Sequence, residues 1–314
     1  MHPAPSIIVF TALSGAGYGL LFLLGLGSAG GVLPESPAFG GVAVGLALVM
    51  VSAGLVSSTF HLGHPERAWR ALSQWRSSWL SREGVAALLT YIPAVALGLL
   101  WVLGARGGWT ILAGLGTAAG AVVTVFCTSM IYGSLKPVAE WHQPWVPPVY
   151  LGFALMTGAL WLMLVLALFG QPIGGLGLLA TIAILLAWGL KFGSWRHPVA
   201  EGRPTPETAT GLGAFGTVRM LEPPHTQSNY LLNEMAFRVG RKHAERLRKI
   251  AVMVGLGASL ILALGAVASG GAGATVAAAG AVVAGMTGVL IERWLFFAEA
   301  RHTVALYYGE PAAA

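Results

Sequence analysis

Long apolar runs separated by short polar clusters organise the whole chain. Eight of these runs reach the roughly 20 residues that a helix needs to cross a bilayer. They lie at about 7–27, 40–60, 84–103, 111–132, 149–169, 174–191, 250–269 and 273–297. In lipid only a helix satisfies its own backbone without a closed barrel, so the pattern predicts an all-α integral membrane bundle of eight transmembrane helices, read as one domain over 1–314. Two polar segments break the rhythm: one between spans two and three, and a longer one over about 192–249. In the first, Trp69, Leu72, Trp75 and Trp79 share a face at helical spacing while Arg67, Arg70 and Gln74 fall elsewhere. That pattern predicts a short helix lying at the membrane surface.

Composition agrees with the membrane reading. The chain has 314 residues, 56% hydrophobic and 10% charged, too apolar to be surrounded by water. Its 44 glycines suit close helix packing in lipid. A net charge of +6 would point to nucleic acid in a soluble protein, but here the basic residues flank the spans. Seventeen of the 18 Lys and Arg residues fall on one predicted side, and only Arg106 stands opposite. Basic flanks mark the cytoplasmic side, so both termini and the long loops are expected in the cytoplasm. Met1-His2-Pro3 places no basic run before the first apolar stretch, which is therefore expected to be a retained helix, with neither a signal peptide nor a twin-arginine leader. One cysteine, Cys127, excludes an internal disulfide and a thiolate metal site. No metal ligand set is expected, and any iron–sulfur cluster belongs to a partner.

The segment from His61 to Glu83 carries the densest chemistry. It runs His61-Leu62-Gly63-His64-Pro65-Glu66-Arg67 and ends Leu80-Ser81-Arg82-Glu83. His61 is expected to close span two and Glu83 to open span three, so the two meet at one membrane face under a roof of tryptophans. A histidine and a partly desolvated carboxylate at that depth suit quinone chemistry, which moves two protons with two electrons. The same spacing fits a plainer reading. Glu83 two residues past a Ser81 N-cap is stabilised by the helix dipole alone, and His61 is then an interfacial residue.

The string HLGHPERAW, the Leu-Ser-Arg-Glu that ends the segment and the spacing from His61 to Glu83 resemble the membrane-anchor subunit family of dimethyl sulfoxide reductase. The likeness extends to eight helices, to the stretch Met130-Ile131-Tyr132 through Trp141-His142-Gln143-Pro144-Trp145, and to Glu292-Arg293-Trp294-Leu295-Phe296-Phe297. It implies a heme-free anchor that holds a molybdopterin catalytic subunit and an iron–sulfur subunit at the bacterial inner membrane and exchanges electrons with ubiquinone or menaquinone. It also implies that His61 and Glu83 are the quinone-site residues. His64, Arg67, Trp79, Arg82 and Tyr132 complete the expected pocket. Similar anchors serve sulfite-oxidising molybdoenzymes, and the basic side favours that type: in exported reductases the docking face looks outward and is poor in Lys and Arg. The alternative is a quinol-oxidising anchor of a dimethyl sulfoxide-type reductase.

Beyond span six, residues 197–226 are rich in turn formers and are expected to lie extended over a partner, followed by a helix over 229–248 with the apolar contacts Tyr230, Leu231, Met235 and Phe237. The basic run behind it, including Arg238, Arg241, Lys242 and Arg246, fits an anchor to anionic lipid. Glu299, Arg301 and His302 are expected to continue helix eight, pairing with loop residues or lining the quinone entrance. Lys136 and His142 fit the border of the pocket or the surface equally. No histidine falls within a predicted span, which speaks against a b-type heme. A secondary transporter would place charged residues near the bilayer midplane. Glu83, Glu292 and Arg293 read as lying near the boundary, so that class is the weaker alternative.

Overall fold

The computed structural model describes residues 4–60, 64–197, 204–222, 243–303 and 306. Eight long apolar helices dominate them: α1 Pro5–Ala29, α2 Pro37–Thr59, α3 Trp79–Val102, α4 Gly108–Gly133, α5 Val146–Leu168, α6 Gly174–Arg196, α7 Ala244–Ala268 and α8 Gly271–Ala298. Several reach past the apolar runs into polar sequence. Thus α3 starts at Trp79 and α6 continues through Trp195 to Arg196, because a helix keeps its own hydrogen bonds in water as well as in lipid. Ser36 caps α2 ahead of Pro37, its hydroxyl accepting from the Phe39 amide, and prolines also open the first turn of α5.

The connections alternate in length. Those at 30–36, 103–107, 169–173 and 269–270 are short and lie at one end of the bundle. The opposite end carries the described residues 64–78 and 134–145, with the end of α6 and the start of α7, and it is here termed the polar-loop face.

Helix α1 is the centre of the bundle, packed against α2, α4 and α5. Its glycines permit this, and the tightest crossing is with α5. A methyl placed on Gly19 would strike the Ala154 carbonyl, and one on Gly158 would strike the Gly19 backbone. Only glycine lets the two backbones approach so closely. Around this centre α3 pairs with α4, α6 with α5, and α8 with both α5 and α7. In α7 a π-helical stretch, Met253–Ala258, brings Gly255 against Gly288 of α8.

Between α2 and α3 the expected short helix is a 3-10 helix, Pro65–Gln74. Trp69 and Trp75 beside it are exposed, whereas Trp79 belongs to α3. Ser81 is not an N-cap. It sits inside α3, where its hydroxyl donates to the Ala71 carbonyl and accepts from the Gln74 amide, tying the 3-10 helix down onto α3.

Residues 204–222, expected to lie extended, are locally folded. Thr205 and Thr208 form a capping box for the single-turn helix Pro206–Thr210, and Glu207 accepts from the Val218 amide. The expected helix over 229–248 falls mostly outside the described residues; its end is the start of α7. Helix α8 stops at Ala298 rather than continuing through Arg301. The chain then turns back, with His302 bridging Val138 and the Thr303 amide donating to Pro137.

Candidate functional site

Glu83 lies in the second turn of α3, on the face turned toward α4, and is 4% exposed. Its Oε1 accepts a hydrogen bond of 2.6 Å from the Thr128 hydroxyl. One turn further in, Thr124 of α4 meets Thr90 of α3 at 3.1 Å, and the buried Tyr18 of α1 lies beside Thr124 within electrostatic reach of Glu83. A carboxylate buried inside the protein is costly unless it is neutralised, hydrogen-bonded or put to use.

The other expected site residues divide into three groups. Arg82 and Trp79 form a fixed rim. The guanidinium stacks 4.2 Å from the Trp79 ring and donates to the carbonyls of Trp75 and Arg76 at 3.0 and 2.7 Å. Tyr132 is buried within the same bundle end, ringed by Trp141, Tyr150, Phe296 and Phe297 and within electrostatic reach of both Glu83 and Arg293. His64 and Arg67 are exposed instead and share Glu66, at 3.0 and 3.6 Å, with no contact to Glu83. His61 lies outside the described residues.

An apolar groove of about 650 Å³ runs along α3 and α4 beneath this rim. Trp75, Arg76 and Arg82 stand at its polar end, while Leu89, Val123 and Cys127 line its walls. Arg82 precedes Glu83 and Cys127 precedes Thr128, so the groove follows the same helix turns that hold the buried carboxylate. Its apolar walls and cationic, aromatic mouth fit a ligand with a polar ring and a hydrocarbon tail.

A second buried charged centre stands across the bundle. Lys191 of α6 reaches Glu292 Oε1 of α8 at 2.5 Å, and Arg293 Nε donates to Glu292 Oε2 at 2.6 Å. All three are 4% exposed or less. The Arg293 guanidinium lies 4.0 Å from the centre of the Tyr150 ring. Arg293 lines a cavity of about 20 Å³ together with Thr128, Tyr150 and Thr157.

Lys191, expected among the loop residues, stands within α6, and Glu292 and Arg293 are buried inside the protein. A sequence signal for that burial exists: Trp294-Leu295-Phe296-Phe297 follows the pair, so the apolar helix continues past the charges.

Above this centre a vestibule of about 300 Å³ lies at the polar-loop face, lined by Lys191 together with Glu140, His197, Arg248 and Glu299. Arg248 clasps Glu299 through two bonds of 2.8 Å, and Glu140 accepts from the Arg301 amide. The residues past helix eight therefore pair with loop residues and with α7. His142 lies at the surface, bonded to the Gly133 carbonyl, and Lys136 is exposed.

Known proteins share this sequence along its length. The family described as DMSO reductase anchor subunit (DmsC) matches residues 1–298. The chain belongs to that family. Among its relatives, the C subunit of sulfite dehydrogenase from Allochromatium vinosum is 34% identical, over 99% of this chain and 100% of its own length. The C subunit of anaerobic dimethyl sulfoxide reductase from Escherichia coli K12 is 28% identical, over 44% of this chain and 48% of its own.

For a member of the DMSO reductase anchor family the eight helices form a multi-pass membrane protein. In this anchor no group of three or more His, Cys, Asp and Glu residues among those described is placed to hold a metal ion. Cys127 is a buried free thiol, and Trp101 and Trp188 are fully packed in the core.

Proposed function

We propose that this anchor is the quinone-reactive membrane subunit of a heterotrimeric molybdopterin/iron–sulfur oxidoreductase. It takes electrons from an iron–sulfur partner and passes them to membrane quinone, and the molybdopterin partner oxidises sulfite. The observation that carries the reading is Glu83, a carboxylate buried at bundle depth on Thr128, on the helix turns that border an apolar groove with a cationic mouth. Quinone supplies the two-electron, two-proton chemistry. Glu83 binds at the ring and exchanges its proton, Arg82 and Trp79 frame the mouth, and the groove walls keep water from the tail. His61, which follows α2 in the sequence, is the second ring-binding group.

The choice of sulfite rests on the full-length relative from Allochromatium vinosum, which is named for sulfite dehydrogenase. The basic residues of the polar-loop face support placing that face, both termini and the partners in the cytoplasm of a bacterial inner membrane. Partner docking has further support from the loop at 211–222, where Phe215 and Leu221 are 89% and 97% exposed on a locally ordered segment. The family match over residues 1–298 makes an anchor the better reading than a transporter.

Isolation of the complex through this chain tests the proposal. Molybdopterin and iron–sulfur subunits that reduce quinone with sulfite fit it. The same subunits active only as a quinol-driven reductase place the chain with the dimethyl sulfoxide type, and absence of both partners overturns the reading.

A further inference from the structure

Among the described residues Glu83 is buried, and the 3-10 helix is tied down by Ser81 onto the start of the same helix. A proton that it gives up has to be replaced from somewhere. Buried polar groups lead from Glu83 toward the polar-loop face in steps, through Thr128, the cavity that Thr128 and Arg293 both line, Glu292 and Lys191. Thr128 Oγ1 bonds Glu83 at 2.6 Å and also lines the cavity of about 20 Å³. That volume holds about one water molecule, provided that polar partners surround it. Polar groups are there: Arg293 and Tyr150 both line the cavity, and the buried guanidinium and phenol interact with each other while keeping hydrogen-bonding capacity to spare. Arg293 bonds Glu292, Glu292 pairs with Lys191, and Lys191 lines the vestibule.

We propose that Lys191, Glu292, Arg293 and Thr128 form a proton path that joins Glu83 to the vestibule at the polar-loop face. The inference rests on the reading of Glu83 as a proton-exchanging group. The path balances as a relay. When Glu83 gives its proton to the reduced ring, Thr128 passes its hydroxyl proton to Glu83 Oε1 and takes one from the cavity water. Lys191 first passes a proton to the Glu292 carboxylate and is reprotonated from vestibule water; Glu292 then hands that proton past the Arg293 side chain, which lines the cavity, to the cavity water. One proton enters for each that leaves, and no other bond changes. The electrons come separately from the iron–sulfur partner. Arg293 stays charged throughout, since a guanidinium does not give up its proton; it is a positioning residue that holds the cavity water beside Glu292. The groups facing the path are Tyr150 of α5, Tyr132 of α4 and Tyr18 of α1, beside the ionic residues named.

The test compares Thr128→Val, Thr128→Ser, Glu292→Gln and Glu83→Gln in the assembled complex. Each is assayed with a water-soluble quinone and, separately, with a one-electron dye that draws electrons from the partner subunits. The path predicts that Thr128→Val and Glu292→Gln lower kcat for quinone at least about tenfold, the scale of a lost proton-transfer group. KM and dye activity stay unchanged, the solvent deuterium isotope effect rises, and Thr128→Ser restores the rate. Thr128→Val removes no charge, so it carries the test if Glu292→Gln prevents assembly. Wild-type quinone turnover in Thr128→Val with a slow Glu83→Gln overturns the path and leaves the function standing. Wild-type turnover in Glu83→Gln overturns the function itself.

Discussion

Lys191 Nζ lies 2.5 Å from Glu292 Oε1, a contact between α6 and α8 with both side chains buried. Glu292 also holds Arg293 through its other oxygen. The three charges therefore do not contribute equally to stability. Replacing Glu292 with Leu leaves two buried cations uncompensated and is expected to cost about 3–5 kcal/mol. Replacing Lys191 with Met leaves Glu292 still paired with Arg293 and costs less. Thermal unfolding of the detergent-solubilised complex checks the order, and a Lys191→Met variant less stable than Glu292→Leu contradicts it.

The crossing of α1 and α5 is set by Gly19 and Gly158, whose missing side chains let backbone meet backbone. Gly158→Ala is expected to push the helices apart and destabilise the bundle by about 1–3 kcal/mol, as overpacking does. Gly189→Ala serves as the control, because nothing lies within contact of an added methyl there. Equal melting temperatures for the two variants would show that the crossing does not depend on the glycine.

Much of this architecture is legible from hydropathy, and the reasons differ from residue to residue. The eight helices follow from the length that lipid demands. Their ends do not, because polar residues such as Ser81 and Arg82 continue a helix once its first turn has formed. Glu83 is visible as a carboxylate at the mouth of an apolar run. Its partner Thr128 is not, since that contact depends on how α3 and α4 are rotated about their axes. The Lys191–Glu292–Arg293 pairing is hidden as well, since it depends on which faces of α6 and α8 meet. Sequence proximity to His61 draws His64 and Arg67 toward the pocket, whereas the 3-10 helix leaves them exposed on Glu66.

Orientation is open to a direct check, because the single native cysteine is buried. Trp109→Cys places an exposed thiol at the short-loop end, and Ser77→Cys places one beside the 3-10 helix. In intact cells an impermeant maleimide is expected to label the first and not the second. The opposite pattern would turn the bundle over and remove the cytoplasmic placement of the partners.

The central claim is that Glu83 exchanges protons with quinone. The decisive measurement is sulfite-driven quinone turnover by the assembled complex carrying Glu83→Gln, a side chain of the same shape that still accepts the Thr128 hydrogen bond and takes up no proton. The account predicts normal assembly, normal dye activity and quinone turnover lowered by about a hundredfold. Turnover equal to wild type would contradict it.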